Sequence, residues 1–129
     1  MLRIELSKSN PIYRPGERIE GIVYWDFEAT PGELTLILQW HTEGKGDEDS
    51  FTAIEAAWTP AEPKGQRPLQ WVAPRSPLSL EGALIRICWT LQFMNKKFAD
   101  ECIIPLAISH VGHPITLYKL PTKADWFVR

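Results

Sequence analysis

The sequence predicts an all-β fold, a sandwich of two antiparallel sheets, and three observations carry that prediction. Apolar residues recur at every second position in several runs, which is the period of a strand with one buried face. Proline and glycine break the chain at short intervals, as turns between strands require. No stretch holds an apolar helical period of useful length, so about eight short strands are left to pack sheet on sheet. With 129 residues, the chain is a single domain long enough to bury a core without staples.

Taken in order, Leu2, Ile4 and Leu6 alternate with Arg3 and Glu5 in a first strand that ends in the turn formers from Ser7 to Pro11. Pro15-Gly16 then makes a rigid corner: proline fixes φ, and glycine supplies the positive φ of a type II turn. The strand after it places Ile19, Gly21, Val23, Trp25 and Phe27 on one face. Gly21 weakens that strand unless something packs closely against it. Pro31-Gly32 turns the chain again into a third strand, with Leu34, Leu36, Leu38 and Trp40 facing inward.

After the polar loop from Gly44 to Ser50, the segment from Phe51 to Trp58 reads as a strand whose alanine and glutamate content also permits a helical turn. Pro60, Pro63, Gly65 and Pro68 read as an irregular connection, because neither a helix nor a central strand runs through so many breaks. Leu69 to Pro74 is a short strand, followed by a turn-rich segment to Gly82. The run from Ala83 to Phe93 has the strongest alternation, with Ile85, Ile87, Trp89, Leu91 and Phe93 on one face. Asn95-Lys96 turns it back into a hairpin partner from Phe98 to Leu106. The core is expected at Ile19, Val23, Leu36, Leu38, Ile87, Trp89 and Leu91.

The motif Tyr13-Arg14-Pro15-Gly16-Glu17-Arg18-Ile19-Glu20-Gly21-Ile22-Val23 resembles the opening of arrestin N-terminal-type domains. A second motif, in the same order as in that family, strengthens the resemblance. Trp71-Val72-Ala73-Pro74 ends a strand, Pro77-Leu78-Ser79-Leu80-Glu81-Gly82 makes a corner, and Ile85-Arg86-Ile87-Cys88-Trp89-Thr90-Leu91 follows. The resemblance spans most of residues 1–106 and implies an immunoglobulin-like antiparallel β-sandwich of arrestin type. It is similar to the retromer arrestin-like subunits and to short bacterial sporulation-control proteins. Those relatives bind other proteins without catalysing a reaction. They usually carry two such sandwiches, whereas this chain has room for one, so a mechanism that rotates two lobes does not carry over. The Pro-Pro-x-Tyr docking motif and the adjacent-lysine phosphate sensor are not matched.

Composition narrows the function further. A hydrophobic content of 44% and a charged content of 23% describe an ordinary globule, and no apolar run approaches a membrane span. The net charge of −2 lacks the basic field that nucleic acid requires. The N-terminus lacks the continuous apolar run of a signal peptide, so the expected location is the cytoplasm. Cys88 and Cys102 are then read as reduced, buried thiols in preference to a cross-strand disulfide or redox pair.

Candidate chemistry is sparse. His110 and His113, joined by Cys102 or Asp100, form a weak zinc pattern that lacks a second paired motif, so no metal and no cofactor are expected. His41, Glu43 and Ser76 or Ser79 assemble a Ser-His-acid set only on paper, since the Gly-x-Ser-x-Gly elbow is missing. Ser79 reads instead as a turn hydroxyl bonding its own backbone. Of six tryptophans, Trp25, Trp40 and Trp89 read as core, whereas Trp58, Trp71 and Trp126 are unconstrained and open a carbohydrate-binding alternative.

The expectation is a non-catalytic, intracellular protein-binding or scaffolding module. A sugar-binding sandwich is the alternative, with a metal-dependent hydrolase behind it. Residues 1–106 form the sandwich, and residues 107–129 are a last strand or docking tail of the same domain. Leu120, Trp126, Phe127 and Val128 are the expected partner-binding residues, because an apolar tip on a polar tail gains by being buried. The partner is an unnamed protein, or a second copy joined through an edge strand or the tail.

Overall fold

Every regular element in the computed structural model is a strand; it describes residues 1–44, 48–82, 85–110 and 115–117. One sheet has three strands in the order β1-β3-β6: β1 (Leu2–Leu6), β3 (Arg18–Asp26) and β6 (Lys64–Val72). The other runs β10-β7-β8-β4-β5, from β10 (Ile115–Leu117) and β7 (Leu80–Gly82) through β8 (Ile85–Asn95) and β4 (Leu34–Gly44) to β5 (Ser50–Trp58). The remaining strand pair joins this sheet, β9 (Asp100–Ile108) lying along β8 and β2 (Ile12–Tyr13) along β9. All pairings are antiparallel except the short β2–β9 and β10–β7 ladders. The two sheets make a β-sandwich, as the alternation predicts.

The core sits where the two inner faces meet. Ile19, Val23 and Trp25 of β3 join Leu34, Leu36 and Leu38 of β4 and Trp89, Leu91 and Phe93 of β8 in one buried cluster. Each fully buried side chain of this kind contributes about 1.5–3 kcal/mol. Gly21 is explained by its neighbour: a Cβ there would overlap the Glu5 carbonyl oxygen and stand 3.0 Å from Leu6 Cα. The glycine therefore lets β1 pair at close range, Leu6 opposite Gly21. Both predicted corners have the positive φ that glycine alone takes easily, 83° at Gly16 and 73° at Gly32.

Asn95 does more than turn the chain. It is buried, and its amide donates to Pro31 O (2.8 Å) and Glu33 O (3.1 Å) while its Oδ1 accepts from Phe98 N (2.8 Å). One side chain thus ties the β8–β9 hairpin to the corner before β4.

Three expectations are corrected. Pro60 to Pro63 are irregular as expected, but the rest of that stretch, with Gly65 and Pro68, is the first half of β6, paired with β3 from Asp26–Lys64 to Arg18–Val72. Pro68 is tolerated there because β6 is an edge strand, where one missing N–H donor costs nothing. Ile87 is half-buried and outside the core cluster; it lies near the end of β8 where the short β7 pairs with it through Leu80. Ser79 is buried, but its hydroxyl accepts from Ile108 N (2.9 Å), clamping β9 where a turn bonding its own backbone was expected.

The sandwich has two unlike sides. On one, β1 lies against β9, and β2 crosses over to close it. Ala107 N donates to Pro11 O and Ser109 N to Tyr13 O, and the residues from Leu106 to Ser109 are all buried. On the other side β5 and β6 end their sheets facing each other, each with one strand neighbour among the described residues.

Candidate functional site

That second side is the candidate site. β5 alternates as an edge strand should, with Ile54, Ala56 and Trp58 turned inward and Ala53, Glu55 and Ala57 exposed. A bulge interrupts it, since Leu38 pairs with Ile54 but Gln39 pairs with Thr52, leaving Ala53 without an opposite residue. Inward from β6 come Gly65, Arg67, Leu69 and Trp71, opposite Trp25, Val23, Gly21 and Ile19 of β3. Glycine is required at 65 because a Cβ there would lie 2.5 Å from the Trp25 ring. Between the two edges lies a crevice of about 170 Å³, walled by Trp58, Trp71 and Arg67 and floored by Val23 and Leu36.

Trp58 is the centre of this crevice. The Arg67 guanidinium sits 4.5 Å over its ring, Phe93 stacks against it at 5.7 Å, and Trp25 meets it edge-on at 6.0 Å. Its Nε1 is buried and has no acceptor among the described residues. A buried N–H left without an acceptor costs about 1–3 kcal/mol, so such groups point to a missing partner. Sequence reasoning placed Trp58 among the unconstrained tryptophans and did not find this role. The only signal was position: an indole at the end of a weak strand, before a proline-rich break.

A second cluster lies on the outward face of the large sheet. His41 of β4 and Cys88 of β8 are a register pair, and Glu43 follows two residues after His41 on the same face. His41 Nε2 is 2.7 Å from Glu43 Oε2, Cys88 Sγ donates to the same oxygen at 3.8 Å, and Arg86 donates to Glu43 Oε1 at 3.2 Å. The His41 hydrogen bond, with help from Arg86, holds the Glu43 carboxyl below its usual range. His41, Glu43 and Cys88 could hold a metal ion. Ser79 borders the same cleft, but its hydroxyl accepts from Ile108 N and makes no hydrogen bond to His41 among the described residues.

The other expected site residues separate. His110 is exposed, and His113, Leu120, Trp126, Phe127 and Val128 lie outside the described residues. Cys102 stands opposite Phe93, far along the hairpin from Cys88, and the two cysteines form no disulfide. Another cleft, about 630 Å³ between the Pro31 corner and the β8–β9 turn, is lined by groups already used within the fold, such as Asn95 and Lys97.

A two-sheet sandwich with one laced and one open side is arrestin-like in its fold. The crystal structure of Spo0M, a sporulation control protein from Bacillus subtilis, is similar to it, with a TM-score of 0.55 at 15% sequence identity. The similarity covers 84% of this chain and 48% of that one, so the chain spans about half the length of the protein it matches. At this identity the likeness shows the fold alone. No protein-family model and no curated protein matches the sequence.

Proposed function

We propose that the chain is a non-catalytic protein-binding module of the cytoplasm whose β5 edge accepts an extended segment of a partner protein. The observation that carries this reading is the orphaned Trp58 N–H beside a nine-residue edge strand. Backbone bonds along β5 would supply affinity, and the crevice beside it would select one apolar side chain and offer its carbonyl an indole donor. Arg67 at the crevice favours a segment that also carries a carboxylate. β6 is the poorer dock, because Pro68 removes a donor and Lys64 and Arg67 add charge. The sugar-binding alternative has less support, since Arg67 and Phe93 already cover the Trp58 ring.

Leu120, Trp126, Phe127 and Val128 belong to the same proposal. They form an apolar segment of the kind that docks on an edge, in the same chain or in a second copy. To test the site, extended peptides are selected from a display library on the full chain and mapped by hydrogen exchange. Bound peptides should protect the amides of β5 and bind about tenfold more weakly to Trp58→Phe, which keeps an aromatic ring but loses the donor. Protection elsewhere with β5 unchanged would overturn the reading.

A further inference from the structure

We propose that His41, Glu43 and Cys88 form a binding site for a borderline-soft divalent cation of the zinc class, with one coordination position left open. The three donor atoms, one nitrogen, one oxygen and one sulfur, all lie within 4.8 Å of one another. A tetrahedral zinc ion with bonds of roughly 2.0–2.3 Å holds its donors roughly 3.3–3.7 Å apart. The observed separations of 2.7 Å for His41–Glu43 and 3.8 Å for Cys88–Glu43 bracket that spacing. Closing on the ion therefore needs side-chain shifts, not a change of fold.

The scaffold favours the geometry. His41 and Cys88 face each other across the β4–β8 ladder, and Glu43 is fixed two residues on by the strand period, so two hydrogen-bonded strands set the positions of all three. Arg86 sits opposite Glu43 and holds its Oε1, leaving Oε2 turned to the other two donors, as outer groups orient carboxylate ligands in metal sites. Sulfur and imidazole ligands disfavour magnesium and calcium, which take oxygen. On binding, the Cys88 thiol releases its proton to solvent, the neutral imidazole moves its one proton to Nδ1 so that Nε2 can ligate, and the imidazole–carboxylate hydrogen bond gives way to two metal bonds.

The fourth position has room and a polar lining. The cluster borders a cleft of about 340 Å³ that also includes Ser79, Thr90 and Leu106. Thr90, next along the same face of β8, has a buried hydroxyl oxygen without a partner among the described residues. It offers a hydrogen bond to a water or partner ligand on the ion. This site stands on the outer sheet face, at the Ser50 end of the β4–β5 pair and away from the Trp58 crevice at the other end, so either proposal can fail without the other.

Cobalt(II) is the probe, titrated into the full-length, metal-stripped chain and followed by the thiolate-to-metal charge-transfer band and by competition with zinc. One equivalent should bind, with the band lost in Cys88→Ser and unchanged in Cys102→Ser. His41→Gln and Glu43→Gln should each weaken binding at least about tenfold, and they test the site independently should the cysteine variant fold poorly. Absence of saturable binding, a band that survives Cys88→Ser, or one that vanishes in Cys102→Ser would overturn the proposal.

Discussion

The two sides of the sandwich solve the same problem in opposite ways. Both are places where sheets end and backbone groups lose their neighbours. On the β1/β9 side the chain covers its own edges. β2 crosses to bond Ala107 and Ser109, Ser79 grips Ile108 from within, and the Met1 ammonium lies 3.3 Å from Asp100. On the β5/β6 side no strand crosses among the described residues, Arg67 alone reaching over to the Trp58 ring, and protection is local: a proline, an inward arginine and a bulge. Cross-links between the sheets are thus gathered on one side, and on the other β5 and β6 each keep one strand neighbour among the described residues.

Truncation breaks the comparison most directly. Ile108→Ala on the laced side should cost about 2–5 kcal/mol in urea unfolding, whereas Ile54→Ala on half-buried β5 should cost about 1 kcal/mol. Equal losses would mean that the sides are energetically alike. Gly21→Ala sharpens the point, since its Cβ must push the β1 backbone aside, and it should lose about 1–3 kcal/mol with the same measurement.

The smallest effect concerns acid. Glu17 bonds Lys8 and the Arg14 N–H, which hold its carboxyl below the usual value of 4.5. A depressed folded pKa gives stability that is present above the unfolded value and lost as pH falls through the folded one. Because Glu17 is partly solvated the gain is modest. Thermal melts should therefore show a smaller loss of stability below pH 4.5 in Glu17→Gln than in the parent chain.

Much of this asymmetry was not legible in the sequence. The alternations that fix β3, β4 and β8 are local and could be read directly, as could the Pro-Gly corners. Pro68 misled because its cost depends on whether a strand is central or at an edge, and that is a property of the sheet. Ile87 has the same alternation as Leu91 and differs in where it lies along β8. His41 and Glu43 were visible as neighbours, but Cys88 reaches them through a register that spans 45 residues. No spacing motif reports such a pairing.

The contrast between β6 and β5 also limits how copies of this molecule could associate on the open side. Sheet growth by stacking strand on strand needs two adhesive edges per molecule, one to receive and one to offer. Here β6 is blunted, so the open side offers β5 alone. Two copies that met through it would use the same surface twice, around a two-fold axis, and each would consume the other's edge. Association by that route ends at a pair, and the geometry that invites a partner strand gives no path to a fibre.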